Sequence, residues 1–454
     1  MKPYRILGGA LAAAAAGALT LIAGQPEVIA WTIAITVLTA AWWVTEALPI
    51  PATSLVPFAL FPMAGVLTQA QAAQALGSYV IVLLMASFML SKALEKSGVH
   101  ERLALYMIQL VGVSGRRLVF GFMLAAAILS MWISNSATTL MLATMALAII
   151  ARSDNPRLAA PLLLGIAYAS SLGGTATLVG TPPNLIFADA YLKATGEEYS
   201  FARWMKTGLP AVIIGVPLIG FWLTRAMGGV KAPTLPHMGP WRRDEVRTLI
   251  VFAVAIAAWI TRSEPFGGWS GAFGIEGAGD STVALLAAVA MFLVPDGKGG
   301  ALLDWKSAGD IPWGMLLLFA GGICIASGFR ASGLDVLIGD QLGGLATAPP
   351  LLMIFGICLV VTFLTEITSN TATANLLMPL LAAVAAGAHI APELLMIPAV
   401  ISCSCAFMLP VATAPNAIVY ATGRMTMARM AREGFALNFI IAIVVTLASW
   451  LTLR

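Results

Sequence analysis

The sequence predicts an all-α polytopic membrane protein, an inverted repeat with about 11 transmembrane helices and two re-entrant hairpins. Composition, the placement of basic residues and a duplicated polar motif carry that expectation. Of the 454 residues, 59% are apolar and only 10% are charged, against ~25% charged in an ordinary soluble domain. Too few polar groups remain to coat a water-facing surface, so most of that surface must face lipid.

The individual elements follow from the apolar runs at 6–23, 28–47, 80–93, 159–190, 208–224, 248–260, 282–294, 313–326 and 435–453. Most approach the ~20 residues that cross a bilayer as helix, and the shorter ones must borrow from their flanks. Lys2 and Arg5 precede a first run that ends in small residues, which would also suit a cleaved signal peptide. A retained first span fits the topology better. Cys324, Cys358, Cys403 and Cys405 all lie within apolar segments and read as small core residues, not as disulfides or zinc ligands. His100, His237 and His389 lack metal-ligand spacing.

The spans can be threaded from a cytoplasmic N-terminus, with 118–151 and 351–386 dipping into the bilayer and returning. Of the 25 Lys and Arg, only Lys193, Arg203, Lys206, Arg262, Arg330 and Arg454 then fall outside. Lys2, Lys231 and the other basic residues fall inside, as the positive-inside rule requires. The threading gives eleven crossings and two hairpins in an inner membrane, with the C-terminus outside. The net charge of +4 reflects that topology rather than binding to nucleic acid.

Two halves of the chain match in register. Ser134-Asn135-Ser136 recurs as Ser369-Asn370-Thr371, an offset of 235 (369 − 134), and the end of one span at Gly98 recurs at Gly333 with the same offset. Gly180-Thr181-Pro182-Pro183-Asn184 recurs as Ala412-Thr413-Ala414-Pro415-Asn416, an offset of 232 (412 − 180). An odd number of crossings separates the copies, so they enter the membrane from opposite sides. Inverted repeats of this kind belong to carriers, where two near-equivalent halves exchange roles across a midplane site.

Each copy pairs a polar turn with a proline-interrupted span. Pro182, Pro183 and Pro415 remove backbone donors, and Gly173, Gly174 and Gly180 permit unusual dihedrals. Broken backbone at that depth survives only inside protein or beside a wet cavity. Ser134, Asn135, Ser136, Ser369, Asn370 and Thr371 would lie at two hairpin tips. Helix N-termini there would face an anion, and exposed carbonyls a small hard cation. Any one of these residues alone could simply join helices by hydrogen bonds, but the duplication favours a site. No Lys or Arg falls in either cluster, so an anion would need neutral donors and a bound cation. Of the two carboxylates within apolar segments, Glu46 stands at a span's end as an interfacial or structural group. Glu366 is either a structural partner or a modulator of cation binding.

These motifs, together with Thr45-Glu46-Ala47-Leu48-Pro49, resemble the divalent anion/sodium symporter family over essentially the whole chain. The resemblance implies a homodimer with a fixed scaffold and an elevator-type transport domain. The scaffold would comprise 1–115 and 227–349, and the transport part 116–226 and 350–454. It further implies one sodium site at Ser130, Ser134, Asn135 and the backbone of Gly180, and a second at Thr365, Thr368, Asn370 and the backbone of Ala412. A dicarboxylate would meet Asn135, Ser136, Thr181, Pro182, Asn370, Thr371, Thr413 and Ala414. Ser136 replaces the family's usual threonine and Ala414 a common second proline, which affects the substrate wall more than the cation sites.

The implied activity is sodium-coupled symport of a C4-dicarboxylate such as succinate, malate or fumarate, with no organic cofactor. A sodium-independent exchanger or a sulfate or tricarboxylate carrier would share the fold. A channel would not need paired cation sites, and an enzyme would need a Ser/His pair, an HExxH motif or an acidic dyad, none of which the sequence displays.

Overall fold

The computed structural model describes residues 3–113, 115–153, 157–227, 239–263, 267–275, 277–342 and 349–453. Lys2, Lys231, His237 and Arg454 lie outside the described residues. Among those described, the regular elements are helices, with one isolated antiparallel bridge between Pro295 and Ala301. Among the described residues, eight helices are long and apolar enough to cross a membrane: Pro3–Ile22, Glu27–Thr45, Gln69–Ser97, Ala159–Ala176, Phe201–Thr224, Trp313–Ser332, Asn370–Gly387 and Met427–Thr452.

The first two pack side by side along a seam of small residues. Gly9, Ala13 and Gly17 are the buried positions of Pro3–Ile22, one turn apart, and a Cβ added at Gly9 would sit 2.5 Å from the Trp42 ring. Small residues let helices approach closely where lipid removes any hydrophobic drive between them. Glu46 ends the second helix, exposed and in the left-handed region at φ 49°.

Several of the described helices lie outside the apolar runs. Ile50–Met63 is one; Pro51 and Pro57 sit in the first turns of its two pieces and Pro62 lies inside the second. Proline is tolerated at a first turn, so Pro51 and Pro57 are compatible with helix. Val99–Val111 is amphipathic, and Glu393–Cys403 is short. The segment 159–190, continuous as an apolar run, is broken into Ala159–Gly173, a 3-10 turn Gly174–Ala176, and Pro182–Thr195.

The repeat is visible element by element. Arg116–Ser130 and Asn135–Ala151 form one helix–turn–helix unit, and Pro350–Thr365 and Asn370–Gly387 form the other; the residues flanking the two turns correspond at the offset of 235. Tyr79–Ser97 and Trp313–Ser332 end on Gly98 and Gly333, both left-handed (φ 72° and 77°), where glycine carries no Cβ penalty. The helix Ala159–Gly173, buried along nearly its whole length, packs against Arg116–Ser130 and Phe201–Thr224.

Ion pairs sort into two sets. Lys96–Asp304 (2.6 Å), Arg102–Glu245 (3.0 Å), Lys298–Asp244 (2.7 Å) and Arg225–Glu433 (2.8 Å) use basic residues placed inside by the threading. Arg262–Asp280 (2.7 Å), Arg203–Glu393 (3.0 Å) and Lys193–Asp189 (3.0 Å) use residues placed outside. Lys96 and the Ser307 amide hold the Asp304 carboxyl at about 2, below the ordinary carboxylate range.

Candidate functional site

The first turn is built by residues that satisfy a helix end. Ser134 caps Asn135–Ala151 by accepting from the Ala137 N–H at 3.2 Å. The Ser130 hydroxyl donates to Asn135 Oδ1 at 2.5 Å. In the second copy the Thr365 hydroxyl stands 2.7 Å from Asn370 Oδ1 and 3.0 Å from the Cys403 carbonyl. Both Asn side chains are thus held by a hydroxyl five residues earlier. Thr368 lies 2.7 Å from the Thr373 hydroxyl and donates to the Leu364 carbonyl at 2.8 Å.

The broken spans are closed by a second duplicated pair. Asn184 Nδ2 donates to the carbonyls of Gly174 (3.2 Å) and Thr177 (2.7 Å), while Asn416 Nδ2 donates to those of Ala406 (3.0 Å) and Leu409 (3.1 Å). Donors and acceptors alike correspond at the offset of 232, and both side chains are fully buried. Each amide gathers carbonyls that the helix break has freed.

Glu366 clamps the second break. Its Oε1 accepts from the N–H groups of Phe407 (2.7 Å) and Met408 (2.9 Å) and from Asn438 Nδ2 (2.8 Å), and its Oε2 accepts from the Leu409 N–H (3.0 Å). Its place is structural: a buried carboxylate surrounded by donors. The Tyr168 hydroxyl donates to the Phe407 carbonyl at 2.6 Å, joining the first broken span to the second break.

These parts surround a cavity of about 400 Å³. Ser134, Asn135, Ser136, Gly180, Thr181, Pro182, Asn370, Thr371, Ala412, Thr413 and Ala414 line it, as do Pro183, Ser369 and Pro415. Ser130 and Thr365 sit behind the wall, fully buried against their Asn partners. Thr368 also lies off the lining. Ser87, Phe88, Ser91, Pro312 and Met315 also line the cavity; sequence reasoning missed them, although Ser87 and Ser91 share one face of an apolar helix. It also missed the clamping role of Asn184 and Asn416, which the repeat offset could have exposed.

Two features set the electrostatics. Four helices begin at the cavity, with Ser134, Ser369, Thr181 and Thr413 at their N-caps. At roughly half an elementary charge each, those ends offer about two positive charges, and no described lining residue is itself charged. Oxygens also crowd beside the first turn. A Cβ added at Gly180 would lie 2.5–3.0 Å from the carbonyls of Gly174, Met131 and Ser130, and one at Gly174 would lie 2.7 Å from Asn135 Oδ1. Such a cluster of neutral oxygens suits a small hard cation; among the described residues no group of His, Cys, Asp or Glu is gathered for a transition metal.

Duplicated turns, broken helices and a polar cavity inside an apolar helical body define a polytopic membrane transporter. The citrate transporter family model (CitMHS) matches residues 40–395. The chain is 38% identical to the sodium-dependent dicarboxylate transporter SdcS of Staphylococcus saprophyticus, over 94% of this chain and 88% of that protein. It is 36% identical to SdcS of Staphylococcus aureus over the same shares. The chain therefore belongs to this citrate and dicarboxylate transporter family, within the divalent anion/sodium symporters. The fold is also similar to the crystal structure of the Alcanivorax borkumensis YdaH transporter (TM-score 0.60, 15% identity, 92% of this chain and 98% of that one). Neisseria gonorrhoeae MtrF is similar over 84% of this chain and 82% of its own (TM-score 0.57, 15% identity).

Proposed function

We propose that this protein is a sodium-coupled symporter of C4-dicarboxylates such as succinate, malate or fumarate, and that its chemistry is transport rather than catalysis. The observation that carries the reading is the convergence of four helix N-termini on a cavity whose described lining has no charged side chain. A dianion needs about two positive charges nearby, and fixed dipoles can bind it without trapping it as an arginine clamp would. Sodium bound beside the cavity would strengthen that attraction and tie substrate binding to the cation gradient. One ion would sit among Ser130, Ser134, Asn135 and the Gly180 backbone, beside the gathered carbonyls, and the other among Thr365, Thr368, Asn370 and the Ala412 backbone. The dicarboxylate would meet Asn135, Ser136, Thr181, Pro182, Asn370, Thr371, Thr413 and Ala414. The names of the SdcS relatives support both cargoes.

In this reading the two helix–turn–helix units are re-entrant hairpins. With the broken spans and the helices that follow, they form a transport part (116–226 and 350–454) that moves as an elevator against a scaffold (1–115 and 227–349). The cavity supports this division, because Ser87, Ser91, Pro312 and Met315 line it from scaffold segments. The protein would span a bacterial inner membrane as a homodimer in eleven crossings, N-terminus in the cytoplasm and C-terminus outside. The test is uptake of labelled succinate into proteoliposomes with and without an inward sodium gradient. Concentrative uptake only with the gradient is expected. Uptake that ignores sodium but requires internal dicarboxylate would replace symport with exchange.

A further inference from the structure

A second polar cavity, far in sequence from the hairpin turns, has the opposite character. It measures about 610 Å³ and is lined by Arg157, Arg225, Arg429, Arg432 and Glu433, with an apolar wall that includes Leu223 and Met227. Four arginines face one carboxylate, and that carboxylate is already committed: Glu433 Oε2 accepts from Arg225 Nη2 at 2.8 Å and from Trp222 Nε1 at 2.9 Å. The N-terminal ends of Ala159–Gly173 and Met427–Thr452 open beside it, the latter capped by Thr426. Among the described lining residues positive charge thus exceeds negative, Arg429 and Arg432 adding to the paired Arg225, and the cavity is shaped from three helix ends.

What continues from it decides the ligand. Phe221, Leu218 and Ile214 stand four, seven and eleven residues before Arg225, on the same helical face, and are 60%, 39% and 49% exposed. Phe435 and Phe439 stand three and seven residues after Arg432 and are 50% and 37% exposed. Two apolar stripes therefore run away from the arginines along Phe201–Thr224 and Met427–Thr452, both long enough to span a membrane. A free phosphate would use the arginines alone; a phospholipid would use the arginines and the stripes.

We propose that this cavity binds the phosphate-bearing headgroup of an anionic phospholipid, whose acyl chains lie along the Phe221 and Phe435 faces. Guanidinium groups grip phosphate oxygens through paired N–H donors, and basic pockets between membrane helices are suited to such headgroups. Trp222, stacked under Arg225 with its guanidinium carbon 4.0 Å from the ring centroid, orients one arginine and marks the interfacial level. The site is separate from the transport cavity, and its occupancy does not depend on which anion is carried.

The test uses the full-length protein, purified in detergent and stripped of lipid. Phosphatidylglycerol, phosphatidylcholine and glycerol phosphate are titrated in turn, and binding is followed by native mass spectrometry and thermal unfolding. Phosphatidylglycerol is expected to bind and to raise the unfolding temperature. Phosphatidylcholine and glycerol phosphate are expected to do neither at the same concentration. The double variant Arg429→Gln/Arg432→Gln should weaken phosphatidylglycerol roughly ten- to thirtyfold, while Arg116→Gln/Arg117→Gln, which changes two exposed arginines elsewhere, should not. If the first pair fails to fold, Ala428→Glu places a carboxylate in the cavity wall and must cause the same weakening. Unchanged phosphatidylglycerol affinity in the folded cavity variant, equal binding of phosphatidylcholine, or glycerol phosphate binding as tightly as the lipid would each overturn the proposal.

Discussion

Replacing Glu366 should loosen the second helix break in a graded way. In Glu366→Gln the remaining oxygen can still serve Phe407, Met408 and Asn438, but the new NH2 group points at the Leu409 N–H, donor against donor. One charge-assisted bond is lost at a site only 3% exposed, which costs about 2 kcal/mol. That corresponds to a roughly thirtyfold rise in opening of the 407–409 segment. Glu366→Ala strips partners from three backbone N–H groups and should cost about 5 kcal/mol. Hydrogen–deuterium exchange in lipid nanodiscs reads this directly: exchange over 407–409 should accelerate about thirtyfold in the glutamine variant and lose most of its protection in the alanine variant. The helix Pro3–Ile22 should be unaffected in both. Unchanged protection at 407–409 would refute the clamp, as would an increase spread evenly across the chain.

Other outcomes follow from the same geometry. Asn135→Ala and Asn370→Ala should each abolish sodium-driven succinate uptake while leaving a normal size-exclusion profile; full activity in either would remove that Asn from the site. Gly180→Ala forces a Cβ among three carbonyls at 2.5–3.0 Å, so sodium affinity measured by titration should fall at least tenfold, and wild-type affinity would mean that those oxygens hold no ion. Succinate and sodium should tighten each other by the same factor, and Ser134→Ala should weaken succinate in a way that high sodium partly restores. Calorimetric titration of succinate across a sodium series checks this, and succinate affinity indifferent to sodium in the wild type would contradict coupling.

Much of this architecture was legible in the sequence because duplication writes itself twice. The offset of 235 located both turns, and the structure places Ser130 beside Asn135 and Thr365 beside Asn370 at that spacing. Prolines and glycines marked the breaks because their backbone limits act locally. What sequence could not supply were partners brought together by tertiary packing. Glu366 meets donors 41 to 43 residues away and Asn438, 72 away, so its two readings could not be separated beforehand. Ser87 and Met315 reach the cavity from distant helices. The helix Ile50–Met63 lies outside the long apolar runs, and its prolines sit where the folded context tolerates them.

The bond from the Tyr168 hydroxyl to the Phe407 carbonyl has no twin, since the position 232 residues later is Val400. It joins the two copies at their breaks, alongside other links between them such as Arg203–Glu393, Trp222–Glu433 and Thr207–Thr452. Under the proposed transport cycle, this bond would pass a displacement of the loop at 404–413 to the helix that frames the loop at 174–181, and the reverse, so that the two proposed sites would be sensed together rather than one at a time.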